Sequence, residues 1–158
     1  MAKRRQKSDT PTIENRRARH DYAILDTLEV GVKLHGTEVK SVRAGKVTLA
    51  EGYVRVDSVE PALWLHSVNI GEYAPAGPRQ HAMTRTRKLL AHKREILKLA
   101  RQVEQKGMTL VPLKMYFKDG WAKVLVGVAQ GKAAYDKRQS IKERDSQRDI
   151  RRAMSRRM

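Results

Sequence analysis

Cysteine is absent from this 158-residue chain. Without thiols there is no disulfide framework, no thiolate metal site and no cysteine nucleophile. No apolar run approaches the roughly 20 residues of a membrane-spanning helix. Lys3, Arg4, Arg5 and Lys7 precede no apolar signal core, so a soluble, cytoplasmic protein without a membrane partner is expected. A glycine-rich phosphate loop, a nucleophile elbow and histidines paired at helical metal spacing are also missing; His20, His35, His66, His81 and His92 are scattered. The expectation is a protein that is not an enzyme and carries no metal or cofactor. Negative charge is in deficit as well: 17 Asp and Glu face 34 Lys and Arg, a formal net charge of +17. Such a chain repels itself unless an anion neutralises it, and counterion release on a nucleic acid would supply binding energy.

The length suits one domain with charged extensions. Residues 1–14 lack periodic hydrophobes and read as a mobile basic arm. From Tyr22 to Leu34, Leu28, Val30, Val32 and Leu34 alternate with polar residues or glycine, the period of a half-buried strand. Gly36 turns the chain, and Thr37 is positioned to cap a short helix over Glu38 to Val42. Tyr53 to Val56 and Leu63 to Ile70 read as paired strands, followed by a Pro- and Gly-rich loop from Tyr73 to about Thr84. Leu89, Leu90, Ile96, Leu97, Ala100 and Val103 recur at helical spacing, with Thr84 or Thr86 as cap and Gly107 as stop. Leu110 to Phe117 and Trp121 to Ala129 flank Asp119-Gly120, the signature of a type I′ hairpin. Leu113, Met115 and Phe117 on one strand, with Val124, Val126 and Val128 on the other, are expected to share the core face. The fold class is mainly β with flanking helices: a partly open antiparallel β-barrel, like the oligonucleotide-binding (OB) fold, over residues 15–130.

Residues 131–158 form a basic tail in which ten Lys and Arg face four Asp and Glu. On a helix, Arg144, Arg148, Arg152 and Arg156 make an i, i+4 ladder of like charges, which water alone does not favour. Ile150, Met154 and Met158 give only a thin apolar ridge, and Ile141 points to the opposite side. A tail disordered when free and helical in an anionic groove is expected; a merely solubilising, solvated tail is the other reading of the same composition. His20, among Arg16, Arg17 and Arg19, suits base stacking or a phosphate contact, or simple exposure.

The segments ENRRARHDYAI, GTEVKSVRAGK, TRTRKLL, GVAQGKAAYDKR and IKERD, in this order, closely resemble the bacterial SsrA-binding protein (SmpB) family. The likeness runs from about Asn15 to the C-terminus. It implies an RNA-binding protein of trans-translation that grips the tRNA-like domain of transfer-messenger RNA (tmRNA) and takes it to stalled ribosomes. Alanyl-tRNA synthetase and elongation factor Tu would be indirect partners through the charged RNA. Carried over by motif, the tmRNA-binding positions are Glu29, Leu90 and Lys123, with Arg19, His20, Lys40 and Arg43 as neighbours. On residue chemistry alone, Leu90 could equally be core and Glu29 a solvated strand residue. The resemblance sets the tail in the decoding centre and the empty message channel, against small-subunit ribosomal RNA. Gly131 would be a joint, Tyr135 a stacking platform, and Asp136, Lys137 and Arg138 anchors; Ile141, Lys142, Arg144, Arg148 and Met154 would follow along the channel. The chain departs from many relatives at Ser146, where they carry tryptophan, and at Ala153 and Met154. The alternatives are a structural ribosomal or general RNA-binding protein and a nuclease, for which no acidic cluster is visible.

Overall fold

The computed structural model describes residues 10–57 and 59–156, and for residues 133–141 the backbone only. The elements are β1 (Ile13–Glu14), α1 (Arg16–Asp21), β2 (Tyr22–Val32), α2 (Gly36–Arg43), β3 (Val47–Thr48), β4 (Tyr53–Asp57), β5 (Ala62–His66) and β6 (Asn69–Ile70). A 3-10 turn at Ala74–Arg79 leads to β7 (Arg87–Leu90), α3 (Lys93–Val103), β8 (Met108–Lys118), β9 (Trp121–Gly131) and α4 (Lys132–Ser155). Strands β8, β4, β5, β7, β2 and β9 pair in that order, and β9 pairs back onto β8, closing an antiparallel ring. β1 adds to β8 through Ile13–Met115 and Glu14–Lys114, so ordered pairing begins inside the stretch expected as an arm. Residues 1–9 of that arm lie outside the described residues.

Closure is uneven, and the unevenness explains why the barrel is only partly closed. β2–β9 and β8–β9 are long ladders. β4 meets β8 at the single pair Val54–Leu110, and β2 meets β7 at two pairs. Helix α3 packs against β4, β5, β8 and β9, and its Ile96 and Leu99 enter the core beside Leu63, Leu65, Leu89, Leu110 and Met115. Burying each such side chain contributes about 1.5–3 kcal/mol. Asp119 (φ 51°) and Gly120 (φ 81°) form the tip of the β8–β9 hairpin with both residues left-handed, as a type I′ turn requires.

Several expectations need correction. The helix foreseen from Leu89 begins only at Lys93: Leu89 is 1% exposed and Leu90 is 53% exposed, the opposite facing of neighbours in a strand. His92, not a threonine, sits at the N-cap, and Glu95 Oε2 accepts from the His92 N–H at 3.1 Å. Likewise His35 rather than Thr37 caps α2, with Glu38 reaching back to its N–H at 2.9 Å. The strand expected from Leu63 to Ile70 breaks at Ser67 (φ 59°), and its remainder, β6, pairs with β3. Leu113 does not share the face of Met115. The β8–β9 register shifts between Pro112 and Lys114, and Leu113 instead joins Val111, Ala129 and Ala18 in a second cluster beneath α1. A bulge of this kind bends the strand and redirects one side chain.

Asn15 pins α1 over that cluster. Its Oδ1 accepts from Ala18 N–H at 3.0 Å, and its Nδ2 donates to Leu49 O at 3.1 Å and Pro112 O at 2.9 Å. A 3% exposed amide is thereby satisfied on both sides.

A second buried device joins α2 to β7. Glu38 and Arg87 are both fully buried. Glu38 Oε2 accepts from Arg87 Nε, and its Oε1 accepts from Arg85 Nη2 at 2.6 Å. Arg87 also donates to Val68 O at 2.8 Å and Met83 O at 3.1 Å. Burial pushes the Glu38 carboxyl up, but hydrogen bonds from Arg85, the His35 N–H and Arg87 outweigh it and hold the group below its ordinary value. Two motifs far apart in sequence, GTEVKS and TRTRKLL, are thus tied by one paired charge in the interior.

Candidate nucleic-acid interface

Alternation along the ring sends one set of side chains outward from every strand. Register then decides which of them meet. Gly31 of β2 lies opposite Lys123 of β9 on one side and Leu90 of β7 on the other, so these three positions form a row across three strands. A Cβ at Gly31 would sit 3.2 Å from Leu90 Cβ; glycine is what lets Leu90 lie against β2. Glu29, two residues earlier on the same face, completes the patch. Glu29, Gly31, Leu90 and Lys123, with Ala91, the α3 N-cap His92 and Glu95 of its first turn, line a shallow depression of about 370 Å³.

The depression has fixed polarity. Glu29 Oε2 accepts from the Tyr116 hydroxyl of β8, and Lys118 Nζ lies 3.4 Å from Glu29 Oε1. The Tyr116 hydrogen bond is the main cause holding the Glu29 carboxyl below its ordinary value, with Lys118 and Lys123 adding to it. Tyr116 is in turn pushed up to about 12, by burial first and then by Glu29. The carboxylate stays ionised, an acceptor able to meet base or sugar donors, next to a free-standing aliphatic surface and the Lys123 ammonium. An anionic chain carrying amino and hydroxyl donors is the ligand such a surface suits.

The other expected positions are distributed. Arg19 and His20 are exposed on α1, and His20 Nδ1 lies 3.0 Å from Asp21 Oδ1. α1 ends where β2 begins, so it is separated from Glu29 by seven strand residues, about 23 Å. Lys40 and Arg43 are exposed on α2, and the Arg43 guanidinium lies 5.5 Å from the centroid of Phe117, near the hairpin tip. Neither pair reaches the depression. Gly131 ends β9 opposite Tyr22 and is the N-cap of α4, with an ordinary φ of −55°. Lys142, Arg144, Arg148 and Met154 are exposed along α4. Tyr135, Asp136, Lys137, Arg138 and Ile141 belong to its helical backbone, and their side chains lie outside the described residues.

Sequence reasoning passed over Tyr116 and the exposed Trp121. The outward alternation of Tyr116 with Lys114 and Lys118 was readable, but its partner lies 87 residues away. Among the described residues no group of three or more His, Cys, Asp or Glu is placed to hold a metal, and no helix is long and apolar enough to cross a membrane.

A small, partly closed antiparallel sheet with a polar, cationic outer wall and a basic helical extension defines a class: a nucleic-acid-binding barrel protein. Similarity to known proteins narrows this class. The family model described as SmpB protein matches residues 12–156. The chain is 53% identical over 150 residues to an SsrA-binding protein of Lactobacillus delbrueckii subsp. bulgaricus, covering 95% of this chain and 97% of that one. It is 56% identical over 144 residues to one of Microcystis aeruginosa, covering 90% and 92%. A chain from a solved structure described as "tmRNA-SmpB: a journey to the center of the bacterial ribosome" superposes with a TM-score of 0.66 at 52% identity, covering 78% of this chain and 85% of that one. This chain belongs to the SmpB family of SsrA-binding proteins.

Proposed function

We propose that this protein is a cytoplasmic factor of trans-translation. It binds the tRNA-like domain of tmRNA, the SsrA RNA, through the outer wall of the barrel and brings it to stalled ribosomes. Alanyl-tRNA synthetase and elongation factor Tu enter only through the charged RNA. The observation that carries the reading is the convergence of Glu29, Leu90 and Lys123, positions 29, 90 and 123 in sequence, into one depression around Gly31. The exposure of Leu90 favours a contact residue over a core residue. Arg19, His20, Lys40 and Arg43 serve as flanking phosphate or base contacts.

The tail supplies the second half of the function. With Gly131 at the junction, Tyr135 stacks on a ribosomal base in the decoding centre, and Asp136, Lys137 and Arg138 anchor it. Ile141, Lys142, Arg144, Arg148 and Met154 follow the empty message channel. An arginine ladder that repels itself in water gains binding energy between walls of phosphate. The chemistry expected is recognition, not bond making or breaking.

Titration at physiological salt tests the first half. The protein is expected to prefer the tRNA-like domain over an unrelated structured RNA of equal length; equal affinity would instead favour a general RNA-binding or structural ribosomal role.

A further inference from the structure

The outer wall does not end at Leu90. Two residues before it on β7, about 7 Å along the strand, Lys88 is registered with Trp64 of β5, and Trp64 with Arg55 of β4. All three side chains point outward, giving a cation–indole–cation row in which Lys88 Nζ lies 5.9 Å from the Trp64 ring centroid. One step along the same two strands, Tyr53 and His66 are also registered, and their rings stack at 5.0 Å with an interplanar angle of 7°. Trp64 stands between two hollows. One, of about 520 Å³, lies toward Arg55, His66 and Thr86; the other, of about 260 Å³, lies toward Lys33, His35 and Lys88.

A row of this kind could be a cross-strand packing device and nothing more. Charge argues otherwise. Among the described residues neither Arg55 nor Lys88 is in an ion pair. The nearby Asp57 turns its carboxylate to the Val59 N–H of its own loop at 3.1 Å. Two unneutralised cations flanking flat aromatic surfaces match an unpaired nucleotide, whose base stacks while its phosphates take the cations. The row is also continuous with the Glu29–Leu90–Lys123 depression, because Lys88 and Leu90 share one face of β7.

We infer that the RNA surface extends across β7 onto β5 and β4, where Trp64 and the Tyr53–His66 stack receive unpaired bases of the same RNA molecule held at Leu90 and Lys123. The inference rests on the function proposed above, since that RNA must first occupy the depression.

The chain has two tryptophans, so Trp121→Phe leaves Trp64 as the sole indole emitter. Titrating this full-length variant with a transcript of the tRNA-like domain is expected to quench Trp64 saturably, at the concentrations at which a gel shift reports binding. Trp64→Leu and the exposed Arg55→Gln, each melting near the parent temperature, are expected to weaken binding about tenfold. Binding with unchanged Trp64 emission, or unaltered affinity in folded Arg55→Gln, overturns the extension and leaves the depression standing. Absence of any preferential binding, in parent and variants alike, removes both readings together.

Discussion

Tyr116 is the residue that turns Glu29 from a solvated strand carboxylate into an oriented acceptor. Its hydroxyl is the largest cause of the lowered Glu29 titration, so Tyr116→Phe is expected to move the Glu29 midpoint up toward its ordinary 4.5. Carboxyl NMR titration reads this directly, and an unmoved midpoint would mean that Lys118 and Lys123 suffice. Residue chemistry at Lys123 was legible in advance, because Lys123 alternates with Val124 and must face outward. The state of Leu90 was not. A leucine seven residues before Leu97, a helical spacing, is indistinguishable by pattern from an exposed strand leucine, and only pairing of β7 with β2 and β5 settles which it is.

Elements show the same division. The β8–β9 hairpin was readable because Asp119-Gly120 admits few backbones, whereas the bulge at Leu113 was not, since it arises from the need to cover Ala18 and Val111. The Glu38–Arg87 link between α2 and β7 was likewise hidden. Separated by 49 residues, its members look like ordinary surface charges until the ring closes over them. Because the folded carboxyl of Glu38 titrates below its unfolded value, the stability it contributes is complete above about 4.5 and is lost as pH falls through the lowered folded value. Glu38→Ala, which strands Arg87 without its partner, is expected to cost about 3–5 kcal/mol. Chemical denaturation at pH 7 and at pH 3 checks both; a parent protein equally stable at the two pH values contradicts the first. For α4 the described side chains from Lys142 to Arg156 are exposed, so none of them supports the helix by apolar burial. A peptide of residues 131–158 is expected to show little helix by circular dichroism in dilute buffer and more on adding polyphosphate or RNA. Strong helicity in buffer alone would refute the like-charge argument.

At the scale of the molecule, the proposed function divides the task between barrel and tail. Truncation after Gly131 is expected to leave binding to the tRNA-like domain within about threefold while abolishing tagging on stalled ribosomes; equal loss of both would refute the division. The excess of positive charge, +17 over the chain, acts at this scale too, since a net charge of this sign attracts a polyanion and raises association rates at low salt. What the sequence determined by itself was the kind of partner, the antiparallel barrel and the order of the motifs. Those depend on composition, local period and turn chemistry, all of which are local. Tertiary structure decided which outward residues become neighbours: Glu29 with Tyr116, Lys123 with Leu90 across Gly31, and Trp64 with Lys88. Strand register sets these contacts, and register is fixed only when the ring closes and every strand must satisfy two neighbours and one core at once.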